Sequence, residues 1–216
     1  MTDWLKLPFA DLPASVRVDV LGILAYGKPA IRIPISDRTI AGRVIDVITA
    51  VGWAYASDAD YLVAAPAPEV AAHILDVDRS PEPHTLELGL LLGYPACCAN
   101  AAAHAGEENI DSHAERLGAD CDREGTPHLN PCEYPAGIAL VPYVACSPRC
   151  PSALQHARAA IDYVGAATTD AATPMEPWRT WHQAVSTVRA RALAARRDPP
   201  LSWPESKPRP NRPRPS

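Results

Sequence analysis

Four of the six cysteines in this 216-residue chain fall into two pairs, Cys97 with Cys98 and Cys146 with Cys150. Thiolates are soft ligands that hold zinc and iron–sulfur clusters, and they also serve as nucleophiles and redox centres. Adjacent cysteines leave the backbone in different directions, so Cys97 and Cys98 do not read as ordinary core packing. The second pair encloses Ser147-Pro148-Arg149, a turn that bends the backbone back and suits two ligands on one centre. Zinc knuckles usually place about two to four residues between the cysteines of both pairs. The first pair here has no spacer, which favours an iron–sulfur cluster and keeps zinc as the alternative.

Two other uses of the thiols are open. Cys97 and Cys98 can divide their roles, one binding metal beside Cys146 and Cys150 while the other attacks a substrate or relays sulfur. The four can also form a metal-free thiol–disulfide couple, with exchange between the pairs, because a disulfide between neighbours closes a strained ring.

Further candidates surround these pairs. Arg149 is a natural charge partner for an anionic substrate. His84 and Glu87, one helical turn apart, could present an imidazole and a carboxylate to the same site, although solvated helix-start residues are the plainer reading. Cys121 reads as an incidental exposed thiol. Cys132, after Asn130-Pro131, is a candidate auxiliary ligand, and His128 is another. His156 lies six residues beyond Cys150 in the following helix. Tyr94 reads as a core ring beneath the turn, and His73, His104 and His182 as helix-surface residues.

The elements that must position these residues are partly legible. Apolar spacing predicts a helix over Ala14 to Tyr26, closed by Gly27. A strand follows over Ala30 to Ile35, then a helix over Arg38 to Val51 capped by Ser36 or Asp37. Tyr61 to Ala65 reads as a buried strand, and Glu69 to Leu75 as one or two helical turns. The acidic, proline-rich segment Asp76 to His84 marks a boundary. Thr85 to Leu92 is helical, ended by Gly93, and Pro95 opens a helix that carries Cys97 and Cys98 in its first turn. There the helix dipole favours thiolate over thiol.

Residues 106–136 are polar, show no persistent period and read as a long loop. Gly137 to Val144 is strand-like and leads into Cys146. Ser152 to Val164 and Pro177 to Arg197 are helical by spacing. The stretch after Asp198 is rich in proline and arginine and too poor in apolar residues to bury a core.

Composition sets the outer bounds. Hydrophobic residues make up 47% and charged residues 21%, ordinary for a globular chain, but 24 prolines are about twice the usual share. The formal net charge of -5 calls for no nucleic acid. No run approaches the roughly 18 to 20 apolar residues of a membrane span, and the N-terminus lacks a signal peptide's pattern. A cytoplasmic location is expected, where thiols serve as ligands or catalysts more often than as structural disulfides. Phosphate-loop, Rossmann, serine-hydrolase and zinc-protease motifs are absent.

The segments Glu87-Leu88-Gly89, Gly93-Tyr94-Pro95, Cys97-Cys98 and Cys146-Ser147-Pro148-Arg149-Cys150 together resemble a prokaryotic family built on a domain of unknown function. That family carries Gly-Tyr-Pro-x-Cys-Cys and Cys-Ser-x-x-Cys motifs, and Ala145 stands where its pattern has proline. The resemblance covers residues 84–165 and implies that the two cysteine pairs act as one unit. It implies no activity.

The sequence therefore predicts an α+β, or small α/β, protein. An N-terminal helix and strand layer over residues 1–78 precedes a mostly helical cysteine-rich region over 79–197 and a disordered tail over 198–216. The expected function is that of a small biosynthetic enzyme acting on a small molecule. Cys97, Cys98, Cys146 and Cys150 would supply metal ligands or a reactive thiolate, and Arg149 or His84 would handle charge or protons. The rivals are a zinc-stapled module that binds a protein, with the C-terminal tail as one contact, and a metal-free thiol redox protein.

Overall fold

The computed structural model describes residues 12–169 apart from 36, 37, 51, 136 and 138. The helix read over 177–197, the tail over 198–216 and the cap at Ser36 or Asp37 lie outside the described residues.

The chain is an α+β protein. Helix α1 (Ala14–Tyr26) ends at Gly27, whose φ of 71° is the left-handed cap that glycine supplies without steric cost. Strand β1 (Ile31–Pro34) and helix α2 (Arg38–Ala50) follow, then β2 (Ala54–Ser57) and β3 (Tyr61–Ala65). The sheet has the order β1-β3-β2 and is antiparallel throughout, with Ile31 opposite Ala64 and Ala54 opposite Ala65.

Strand β2 is absent from the sequence reading, since Ala-Tyr-Ala-Ser is short and only weakly apolar. It is defined by its pairing with β3 through a turn in which the Asp58 carboxylate accepts the N–H groups of Asp60 and Tyr61, both at 2.7 Å. Those two bonds, followed by the Arg79 guanidinium, hold the Asp58 carboxyl down at about 2.

Central strand β3 is buried on both faces, which explains its uninterrupted apolar run. Its two-residue alternation sends Leu62 and Ala64 into the main core with Val18, Leu21, Val44 and Ile48 of α1 and α2. Val63 and Ala65 point the other way, against Ala71, Ile74 and Leu75 of α3 (Pro68–Asp78). Helix α3 is longer than the one or two turns expected and runs into the segment read as a boundary. Arg32 explains part of that extension: it donates to Asp78 at 2.8 Å while its guanidinium covers the Tyr61 ring at 3.5 Å.

Helix α4 (Thr85–Leu91) turns sharply into α5 (Ala96–Ala105). At the corner Tyr94 donates its N–H to Gly89 at 2.9 Å and Gly93 donates to Leu90 at 3.0 Å, the paired bonds of a Schellman cap. Gly93 has a φ of +77°, and a Cβ there would sit 2.3 Å from Cδ of Pro29. Gly93→Ala is therefore expected to cost about 2–4 kcal/mol, from the left-handed backbone and the overlap together, read as a shift in the urea midpoint. A midpoint within error of wild type would refute this account of the corner.

Residues 106–136 correct the expected loop. They contain α6 (Ile110–Glu124) and short 3-10 turns at Glu107–Asn109, Pro127–Leu129 and Pro131–Glu133. A narrow apolar stripe, Leu117, Gly118 and Cys121, is all that α6 buries, so an amphipathic helix with few apolar residues and many charges reads as a polar loop. Gly137 to Val144 also departs from expectation: residues 139–145 are irregular rather than a strand, although Ala139, Leu140, Val141 and Tyr143 are buried. An apolar run becomes a strand only beside a partner. Here the backbone is satisfied locally, Leu140 N–H bonding His128 O at 2.8 Å.

Helix α7 (Pro151–Thr169) returns along α1, burying the small residues Ala153, Ala157 and Ala160. The main core unites Val16, Leu21 and Ile31 with Cys98, Leu140 and Ala153, and so draws on both the N-terminal layer and the cysteine-rich region.

Candidate metal centre

The corner between α4 and α5 aims the first turn of α5 at the turn that precedes α7. Pro95 occupies the N-cap of α5, placing Cys97 and Cys98 second and third in the helix. Gly89 lets α5 approach closely, since a Cβ there would meet that of Ala99 at 3.0 Å. From the other side Cys150 immediately precedes Pro151, the first residue of α7, and its sulfur accepts the Ala153 N–H as an N-cap.

The result is one group of sulfurs. Cys97 Sγ and Cys98 Sγ each lie 3.6 Å from Cys150 Sγ and 3.9 Å from each other. With Cys146 added, all four sulfurs lie within 4.8 Å of one another. Cys98 and Cys150 are buried, Cys146 is half-buried and Cys97 is exposed. The four residues could hold a metal ion, and among the described residues no other such group of His, Cys, Asp and Glu occurs.

Burial reverses the expected effect of the helix start on Cys98. Removal from water raises its thiol strongly, and the Cys146 N–H that bonds its sulfur offsets this only in part. Burial, followed by contact with Cys150, pushes Cys146 up to about 11. At Cys150 burial opposes ionisation, but the Ala153 N–H and contact with the thiols of Cys146, Cys97 and Cys98 lower its pKa. The thiolate character expected of α5 thus falls on Cys150 at the start of α7.

The turn between Cys146 and Cys150 is braced from behind. The Tyr143 hydroxyl lies 2.9 Å from Nδ1 of His156, whose ring stacks on Tyr26 at 4.1 Å with an angle of 10°. Burial raises the Tyr143 phenol and lowers the His156 imidazole, and which of the two donates follows from the His156 tautomer. This bond ties the segment before Cys146 to the helix after Cys150. Tyr143→Phe is expected to weaken metal binding about tenfold, measured by chelator competition, while preserving the helical circular dichroism. An unchanged affinity would show that the turn holds its shape without the bond. Sequence reasoning left both residues without this role, because the contact joins an irregular segment to a helix.

The remaining candidates have other partners. His84 bonds the Glu82 carbonyl through Nδ1 at 2.9 Å, and its Nε2 lies 4.0 Å from both Asp78 and Glu107. Glu87 is exposed on α4. Arg149 projects from the turn and pairs with Glu124 at the end of α6, Nε to Oε2 being 2.9 Å. Cys121, read as an exposed thiol, is fully buried on α6, and burial raises it to about 11. Cys132 is exposed and approaches the Ala114 carbonyl rather than the four-sulfur group. His128 contributes its carbonyl to Leu140. Tyr94 packs 4.9 Å from the Tyr143 ring, consistent with a core role, and His73 and His104 are exposed.

Fold and site together define an α+β protein with a four-cysteine group able to hold a metal ion. Comparison of the chain with family models, curated proteins and solved structures finds no match. Among the described residues no helix is long and apolar enough to cross a membrane.

Proposed function

We propose that Cys97, Cys98, Cys146 and Cys150 bind a single zinc ion as a tetrathiolate, and that this centre fastens α5 to the start of α7. The observation that carries this reading is the spacing of the sulfurs, 3.6, 3.6 and 3.9 Å for three of the pairs. Four sulfurs at the zinc–thiolate distance of about 2.3 Å form a tetrahedron with edges of about 3.8 Å. An iron–sulfur cluster distributes its thiolates over several irons and pushes those on different irons well beyond that edge. The same spacing therefore favours zinc over the cluster expected from the missing spacer between Cys97 and Cys98. A set of four protein ligands is also the pattern of closed, structural zinc.

The test is elemental analysis of protein purified without oxygen. About one zinc per chain, no acid-labile sulfide and, after exchange, the visible bands of tetrathiolate cobalt are the expected results. A brown protein with several irons and matching sulfide would overturn the reading.

Binding should also depend steeply on pH. Burial raises the thiols of Cys98 and Cys146, and both must lose a proton to act as ligands. At least two protons leave per ion bound, so apparent affinity rises with pH by about a hundredfold per unit. Chelator competition at several pH values measures the slope, and a rise below tenfold per unit would contradict it.

A further inference from the structure

We propose that Cys97 is the reactive sulfur of this centre, a zinc-bound thiolate that accepts an alkyl group from a soft carbon electrophile. The proposal rests on the zinc reading above and goes beyond it, since a staple alone needs no reactive ligand.

The four sulfurs are not equivalent. Cys98 and Cys150 are each 1% exposed. Each also accepts a backbone N–H, Cys98 from Cys146 and Cys150 from Ala153. A hydrogen bond to a thiolate withdraws electron density from sulfur and makes it a poorer nucleophile, and burial denies an electrophile its approach. Cys146 is half-buried. Cys97 differs in being exposed, with its sulfur 3.6 Å from that of Cys150 and 3.9 Å from that of Cys98. Once those sulfurs are metal-bound thiolates they have no proton to donate, leaving Sγ of Cys97 with a free lone pair at the surface.

Approach to it is open. Ala96 and Asn100, its exposed neighbours on α5, are small, and the Asn100 amide turns back to bond the Ala96 carbonyl at 2.8 Å. A divalent ion with four thiolates also carries net negative charge, which raises the energy of the sulfur lone pairs and is relieved by alkylation.

The step balances without an added oxidant or reductant. The Cys97 Sγ lone pair forms a bond to the electrophilic carbon, and the bond from that carbon to its leaving group breaks. The leaving group departs with the electron pair. Cys97 becomes a neutral thioether, and the negative charge of the centre falls by one unit.

The experiment uses the full zinc-loaded chain carrying Cys132→Ser, because Cys132 is the other exposed thiol. Iodoacetamide is the probe, peptide mass mapping locates the adducts and a zinc-responsive dye follows metal release. A first adduct on Cys97, forming at least about tenfold faster than on Cys98, Cys146 or Cys150, supports the proposal. Adding Cys97→Ser should remove that fast adduct. A first adduct on Cys146, equal labelling of all four, or no adduct on zinc-loaded protein would overturn it while leaving the zinc centre standing. A chain that binds no zinc overturns the zinc reading and this proposal with it, and metal analysis before labelling separates that failure from the others.

Discussion

Replacing Cys150 with serine is expected to abolish tight metal binding and the thermal stabilisation that comes with it. Cys150 is the hub of the centre, 3.6 Å from both Cys97 and Cys98 and attached to the start of α7 through the Ala153 N–H. Loss of a ligand should exceed the roughly 10- to 100-fold penalty for loss of a supporting residue. At free zinc about a thousandfold above Kd, binding stabilises the wild-type fold by about 4 kcal/mol. For a chain of this size that is about 8–16 °C in Tm. A chelator should therefore lower the Tm of wild type by that order and leave Cys150→Ser unchanged.

Cys150→Ala provides the contrast. Serine is a good N-cap and alanine a poor one, so both variants lose the metal but only the alanine variant should lose a further ~1 kcal/mol of metal-free stability. Equal metal-free stability of the two would mean that the Ala153 bond contributes nothing. Retention of tight zinc by either variant would remove Cys150 from the centre.

The second large effect concerns Asp19 and Lys28, each 3% exposed. Lys28 Nζ lies 2.6 Å from Asp19 Oδ1 and 2.8 Å from the Ala30 carbonyl, and the Tyr134 hydroxyl donates to Asp19 Oδ2 at 2.5 Å. The Lys28 ammonium also sits 5.7 Å from the centre of the Tyr94 ring. This network joins α1, the approach to β1, the Gly-Tyr-Pro corner before Cys97 and the loop that leads toward Cys146.

Asp19→Leu strands a buried ammonium and is expected to cost about 3–5 kcal/mol, read from urea unfolding. The double variant Asp19→Leu with Lys28→Met removes both charges and should recover much of that loss, because paired burial mainly avoids an uncompensated charge. A single-variant cost below about 1 kcal/mol would mean that water reaches the pair. A double variant no better than the single would show that the Tyr134 and Ala30 bonds, rather than charge pairing, dominate.

Much of the scaffold was legible because local chemistry determines it. Helix α1 ends at Gly27 and α4 at Gly93 because each stop needs a left-handed residue. Strand β3 reads as buried because every position after Tyr61 is apolar and inaccessible. Helix α6 was hidden because it buries only a narrow stripe beneath a charged surface, and β2 because a weak strand exists only through its neighbour. The run over residues 139–145 misled in the opposite direction, since apolar composition reports burial but does not supply a hydrogen-bonding partner.

By itself the sequence determined that Cys97 and Cys98 lie in the first turn of a helix and that another helix begins soon after Cys150, at Ser152 by the reading and at Pro151 in the fold. Pro95 and the spacing of the apolar residues are local signals, and they suffice for that. Only the tertiary structure decided that the two helix starts meet, that Cys98 is buried while Cys97 is exposed, and that Arg149 pairs with Glu124 and His84 bonds the Glu82 carbonyl rather than the sulfurs. The meeting of the cysteine pairs depends on contacts across more than fifty residues, and the Arg149 pair on one across twenty-five. Burial, which sets both the proton affinity of a thiol and its accessibility, is a property of the packed core and not of any stretch of chain.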